Sequence, residues 1–323
     1  MLGALALISF AVTFALLRLL LARFARLALD EPNERSLHER PVPRTGGVAL
    51  TVGAATCLAF GATPLWLPLL LAALLAGLSF ADDLRGLPTG VRLCAHLVAA
   101  ALAAWYLVSP MHPLALAALA VGVAWITNLY NFMDGSDGLA GGMALIGFGT
   151  YALAAATAGD TPLAAASLAL AAAAAAFLLV NFPPARMFLG DVGSVPLGFL
   201  AAALGLAGWR DDLWPLWFPL LVFAPFIGDA TLTLLRRLAR GERVWRAHRE
   251  HYYQRLVRLG AGHRGTALTA YALMLVCAGA ALYGRNEPPA VQAGAVAAAG
   301  LVLVVAAAWI DVRWARYLRR AAN

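Results

Sequence analysis

Long apolar runs alternate with short polar interruptions along the whole chain, and the runs are too long and too uniform for a soluble core. A helix needs about 20 such residues to cross a hydrocarbon layer about 30 Å thick. On that basis about eleven spans are expected, near residues 3–22, 46–62, 64–80, 93–108, 113–130, 141–158, 162–180, 194–209, 214–235, 266–283 and 290–310. The spans 46–62 and 64–80 are separated by the fewest residues. No internal repeat accompanies the pattern. Alanines crowd residues 164–176, the composition of a helix face that packs closely on its neighbours. The pattern predicts a single all-α, polytopic membrane domain over residues 1–323.

Composition agrees: 62% of residues are hydrophobic and only 13% charged. All 24 basic residues are arginine, and their placement gives an orientation. The connections 23–45, 81–92, 131–140, 181–193 and 236–265, with the tail 311–323, hold every arginine except Arg18, Arg210 and Arg285. The positive-inside rule then predicts an outside N-terminus and a cytoplasmic C-terminus. The net charge of +7 reads as a topology signal with some attraction to anionic lipid, not as a nucleic-acid footprint. The first span lacks a basic leader and a cleavage site before Asp30, so it is expected to be a retained helix. Cys57, Cys94 and Cys277 fall inside spans without metal-ligand spacing and are expected to be small buried hydrophobes.

The outward connections are short turns, whereas the inward ones carry five polar clusters. A transporter would place such groups near the midplane, in broken helices of two related halves. One-sided clusters suit an enzyme that meets a water-soluble substrate at the membrane surface. The first is DEPNERSLHERPVPRTGG, residues 30–47, where Arg35, His38, Arg40 and Arg44 can meet a phosphate and Gly46-Gly47 permits close helix approach. The second is Asp82-Asp83 at the end of a span, with Arg92 and His96 opening the next. Two acids at a helix C-terminus oppose the macrodipole, which argues for function. Adjacent helical residues diverge by about 100°, so one of the two is expected to face a shared site.

The third cluster is Asn128-Leu-Tyr-Asn131-Phe-Met-Asp134-Gly-Ser-Asp137-Gly, two amides and two carboxylates at three-residue spacing. Carboxylates near lipid are costly, and this spacing suits a hard cation or sugar hydroxyls. The fourth, Asn181-Phe-Pro-Pro-Ala-Arg-Met-Phe188-Leu-Gly190-Asp191-Val-Gly193-Ser194, leads into a helix N-terminus, a place for a metal-bound diphosphate. Phe188 has the shape to stack on a base. The fifth holds His248, Arg249 and His251; the H-E-x-x-H pattern and cysteine partners are missing, so zinc is disfavoured and phosphate oxygens are the expected partners. Asp229, seven residues before Arg236, is expected to pair with it.

In this order the clusters resemble the polyprenyl-phosphate N-acetylhexosamine-1-phosphate transferases of bacterial inner membranes, glycosyltransferase family 4. The resemblance runs through PNERSLHERPVPRTGG, Asp82-Asp83, NLYNFMDGSDGLAGG, NFPPARMFLGDVGS and HREHYYQ, across about residues 32–265. It implies transfer of a sugar-1-phosphate from a UDP-N-acetylhexosamine to undecaprenyl phosphate with Mg²⁺ (Mn²⁺ as substitute), at the cytoplasmic face. It implies Asp82, Asp83 and Asp191 as catalytic, with Asp191 and Asp83 on the metal. It also implies Asn128, Asn131, Asp134, Asp137, Asn181, Phe188, His248, Arg249, His251, Arg44 and Arg92 as substrate contacts. The histidine pattern resembles members that start O-antigen-type lipopolysaccharide. Membrane lipid is an expected partner and nucleic acid is not; a homodimer is left open. The rival readings are a transporter of nucleotide sugar or lipid-linked sugar, and a catalytically inactive glycan-assembly subunit.

Overall fold

The computed structural model describes residues 1–24, 28–31, 37, 41–243 and 248–322. Arg35, His38 and Arg40 therefore lie outside the described residues. The chain is all-α in its architecture: α1 Leu2–Arg23, α2 Gly46–Ala54, α3 Trp66–Arg85, α4 Thr89–Val108, α5 Pro113–Phe132, α6 Leu139–Ala158, α7 Thr161–Asn181, α8 Asp191–Arg210, α9 Trp217–Val222, α10 Ala224–Ala239, α11 Tyr252–Leu256, α12 Gly262–Gly284 and α13 Pro289–Ala322. The described strands are a two-residue ribbon, β1 Leu29–Asp30 against β2 Val42–Pro43.

Among the described residues, nine helices are long and apolar enough to cross a membrane. Two of the eleven expected spans take other forms. Residues 46–60 form a short apolar helix, α2 continued by a tight 3-10 segment, that stops at Gly61 with φ +96° ahead of Thr63-Pro64. The span expected over 214–235 is broken into α9 and α10. Pro225 has no N–H to continue the ladder and disfavours helical geometry just before it, and the break falls at Phe223. The connection expected over 81–92 shrinks to 86–88, because α3 runs to Arg85 and turns through Gly86 at φ +69°.

The central helix is α8, whose apolar stretch is 94% buried and which packs chiefly against α3 and α5; α6 and α7 are the next most buried. The alanine run of α7 packs as its composition predicts: Ala164, Ala165, Ala166, Ala169, Ala173, Ala174 and Ala176 are all buried. Polar glue joins α1 to this core, since the buried Ser9 hydroxyl reaches the carbonyls of Gly53 and Ala169 at 3.0 and 2.8 Å. Of the cysteines, Cys57 and Cys277 are buried, but Cys94 is exposed on the outer face of α4, against expectation.

Successive antiparallel helices bring alternate ends together. The C-termini of α3, α5, α7 and α10 meet the N-termini of α4, α6, α8 and α12 at one end of the bundle, so the polar clusters converge there. A backbone clamp fixes two of the connections. Phe188 N–H donates to Pro43 O at 2.7 Å, Gly46 N–H to Phe188 O at 3.0 Å and Gly47 N–H to Leu189 O at 2.8 Å. The clamp requires glycine. A Cβ on Gly47 would lie 2.3 Å from the backbone nitrogen of Gly193, and one on Gly190 (φ +72°) would lie 2.5 Å from Arg44 O. The close approach expected of Gly46-Gly47 is therefore a backbone-to-backbone crossing of α2 and α8.

Candidate active site

Asp82 and Asp83 sit in the last turn of α3 and leave it in different directions, yet both join one cluster. Asp82 accepts from the Leu87 backbone N–H and, at 2.9 Å, from Arg92. Asp83 meets Arg44, which lies 3.4 Å from its carboxylate and also donates to its carbonyl at 3.1 Å. Arg92 reaches on to Asp191, 3.8 Å away at the first turn of α8. The arginines thus gather two diverging acids, where helix geometry alone assigns one to the site. Asp83 is nearly enclosed, with 5% side-chain exposure, and its Oδ2 is buried without a hydrogen-bond partner. The cluster holds more carboxylates than guanidiniums, an imbalance that a hard cation would relieve.

Asp134 lies in the turn after α5, within the field of the same acids. Burial first, and then the like charges of Asp191, Asp30 and Asp83, push its carboxyl well above the usual carboxylate range. Asn131, one turn earlier, faces Asp191 and accepts from Ser194 Oγ at 2.7 Å. Asn128 is held deeper: its Nδ2 donates to Ala124 O at 2.7 Å and its Oδ1 meets His96 Nδ1 at 3.1 Å.

Two residues expected to contact substrate bind the loops to each other. Asn181 is buried, and its amide bridges Gly138 N–H (2.9 Å) and Met187 O (2.9 Å). Asp137 accepts from the Ala185 N–H at 2.9 Å and faces His263 Nδ1 at 3.5 Å. His263 also meets Ser136 Oγ at 3.0 Å and Leu37 O at 3.2 Å, so it joins three connections. Replacing Asn181 with alanine would orphan a buried donor and a buried acceptor. The expected cost is roughly 2–4 kcal/mol, read as a lower thermal-inactivation temperature in detergent.

The histidine segment is built differently from expectation. Asp229 does not pair with Arg236. Its carboxylate accepts from the backbone N–H groups of Tyr252 (2.9 Å) and Tyr253 (3.0 Å), and His251 Nδ1 lies 3.2 Å from it. The reason is position: these N–H groups are the free donors at the first turn of α11, where a carboxylate is favoured. His251 is buried, its ring 4.8 Å from that of His248 and stacked at 5.8 Å on Tyr253. Tyr253 in turn donates to Phe132 O at 3.2 Å and packs on Gly135, which brings the segment against the Asp134 turn. Arg249 is on the same stretch, with Arg237 and Arg240 engaging Glu242 and Glu250 nearby.

His248 Nδ1 accepts from the Glu250 N–H at 3.3 Å, so the neutral ring carries its proton on Nε2. Burial, His251 and Arg237 lower its pKa from 6.5 to about 4, against the opposing pull of Glu250 and Glu242. A folded-state value below the unfolded one gives stability that is complete above about pH 6.5 and is lost as pH falls towards 4. Thermal stability should therefore fall between pH 6.5 and 4, and His248→Gln should flatten that decline; identical curves would refute the assignment.

Among the described residues no group of three or more His, Cys, Asp or Glu side chains forms a ready metal cage. Sequence reasoning passed over His263 and Tyr271, whose hydroxyl donates to Gly138 O at 2.6 Å, and gave no role to Ser194 and Tyr253 within their clusters. Neither His263 nor Tyr271 carries a local motif; His263 stands in Ala261-Gly262-His263-Arg264, where only the fold shows its partners.

Acids, arginines and histidines thus gather at one end of a polytopic helical bundle, the build of a multi-pass membrane protein. Residues 65–209 match the family model described as glycosyl transferase family 4. A probable undecaprenyl-phosphate N-acetylglucosaminyl 1-phosphate transferase of Bacillus subtilis is 30% identical over 76% of this chain and 74% of its own length. A putative glycosyltransferase of Streptomyces coelicolor is 37% identical over 94% and 71%. The decaprenyl-phosphate N-acetylglucosaminephosphotransferase of Mycobacterium tuberculosis is 28% identical over 89% and 84%. The chain belongs to this family, the polyprenyl-phosphate N-acetylglucosamine-1-phosphate transferases of glycosyl transferase family 4.

Proposed function

We propose that this chain transfers an N-acetylhexosamine-1-phosphate from a UDP-sugar to undecaprenyl phosphate, releasing UMP, as the first membrane step of a cell-surface glycan of the O-antigen type. The observation that carries this reading is the linkage of Asp82, Asp83 and Asp191 through Arg44 and Arg92 where the apolar helices end. At such a boundary a lipid headgroup and a water-soluble nucleotide can meet. The site faces the cytoplasm of a bacterial inner membrane, in keeping with the placement of the arginines.

Hard carboxylate oxygens and the unpartnered buried Oδ2 of Asp83 suit Mg²⁺, or Mn²⁺ in its place, held by Asp191 and Asp83. When bound, the ion supplies positive charge to the diphosphate. An oxygen of the lipid phosphate attacks the β-phosphorus in line; the bond from that phosphorus to the bridging oxygen breaks, and UMP leaves. A phosphate monoester with a second pKa near ~6 is largely dianionic at neutral pH, so Asp82 orients Arg92 and the acceptor more than it removes a proton. Arg44 and Arg92 compensate the charge of the two substrates. His248 donates Nε2–H to a phosphate oxygen, and His251 is oriented by its bond to Asp229. Phe188 stacks on the base, and Asn131 and Asp134 meet the sugar and nucleotide. Asn181 and Asp137 act through the loops that they hold, and Asn128 through its contact with His96.

The test is UMP release by purified protein with undecaprenyl phosphate, Mg²⁺ and a panel of UDP-N-acetylhexosamines, beginning with UDP-N-acetylglucosamine because relatives are named for that sugar. Release that needs both lipid phosphate and metal is the expected result. Folded protein that stays silent across the panel would overturn the reading.

A further inference from the structure

The last helix takes little part in the main core, since only 11% of its apolar stretch is buried. Its 34 residues rise about 51 Å, well beyond a hydrocarbon layer of about 30 Å. Near the level where it leaves that layer it carries Asp311, an acid that no catalytic argument has used. The carboxylate gathers three groups from two other elements. Arg255 of α11 donates to it at 2.9 Å, Arg236 of α10 pairs with it at 2.8 Å, and the Tyr252 hydroxyl donates at 3.0 Å. Arg255 is only 6% exposed and lies over the rings of Tyr252 and Trp314, at 5.2 and 5.8 Å. Beneath these contacts Ile310 forms a small hydrophobic cluster with Tyr252 and Leu256, separate from the main core.

The five residues of α11 are thus held from both sides. On one side Asp229 caps its first turn and Tyr253 reaches the Asp134 turn; on the other, Asp311 grips Arg255 and Tyr252. A helix this short has no stability of its own, so its placement comes from these contacts. His251 is its N-cap and the His248 ring lies against that of His251, so both inherit that placement.

We propose that Asp311 is a positioning residue for the nucleotide sugar: through Arg255 and Tyr252 it fixes the His248–His251 segment, and the last helix is part of the donor site. This rests on the assignment of that segment to the UDP-sugar. Asp311→Asn keeps the shape and removes the charge that holds Arg255. A displacement of the histidines by a fraction of an ångström should raise the donor KM by roughly 10-fold. The kcat and the lipid-phosphate KM should be unchanged, and Asp311→Glu should restore most of the donor affinity. Trp314→Ala, which uncovers Arg255 but leaves every charge in place, should move the same constant in the same direction. Arg255→Gln should have no further effect when added to Asp311→Asn, because the two act as one unit.

Steady-state kinetics in both substrates, with UMP release as the readout, is the experiment. An unchanged donor KM in Asp311→Asn, or a parallel loss in kcat and both KM values, would overturn the proposal while His251→Ala still raises the donor KM. If His251→Ala leaves the donor KM untouched, the assignment beneath it fails as well.

Discussion

Asp191→Asn is expected to abolish turnover while leaving the protein folded. The carboxylate lies at the first turn of α8, where the helix dipole favours negative charge, and among the described residues its one close ionic neighbour is Arg92 at 3.8 Å. Asparagine keeps the volume and one oxygen but lacks the charge needed to hold a divalent ion against a diphosphate. Losing it also relieves repulsion with the other acids of the cluster, so the melting temperature should hold or rise. The expected loss in kcat is roughly 10³-fold or more, the scale of removing a group aimed at transition-state charge. Activity near the parent level, with melting unchanged, would sink the assignment of Asp191 to the metal.

Gly47→Ala should damage both stability and turnover, although it adds a single methyl and removes no polar group. The new Cβ would sit 2.3 and 2.4 Å from the backbone nitrogen and Cα of Gly193 and 2.8 Å from Leu189 O. No side chain can rotate away from that contact; α2 or α8 has to move. Overpacking of this kind typically costs about 1–3 kcal/mol, and here the yielding part is the backbone that carries Asp191 and Arg44. A shift near 1 Å between them should lower kcat by about 100-fold. Gly149→Ala, whose Cβ meets nothing within 4 Å, is the control that should behave like the parent. Equal kinetics in the two variants would show that the crossing tolerates a wider separation.

The helical, membrane-spanning character was legible because apolar length is written continuously along the chain. The breaks were harder to read: 214–235 is apolar enough to pass for one span, yet Pro225 divides it, and the 3-10 extension of α2 stops at Gly61. Five clusters on one side announced where a site would form, since alternating helices must return each inward loop to the same end. Their internal wiring was not announced. Helix geometry sent Asp82 and Asp83 apart, and only long arginine side chains from α4 and the β2–α2 connection bring them together. Asp229 lay at a pairing distance from Arg236 in sequence, but the free N–H groups of α11 compete better for its oxygens. His263 and Asp311 find their partners through contacts more than fifty residues away in sequence, which no local pattern encodes.

The glycine crossing of α2 and α8 has a consequence for how this protein can change. Where two helices meet through side chains, every substitution at the seam resets their spacing. Here main chain touches main chain, so the distance from Arg44 to Asp191 is set by atoms that every residue shares. The lipid-facing surface of α2 and its 3-10 extension can then drift widely in sequence without retuning the chemistry, and adaptation to a new membrane is uncoupled from catalysis. Saturation mutagenesis should show it as near-total intolerance at Gly47 and Gly193 beside broad tolerance at exposed Val52 and Leu58.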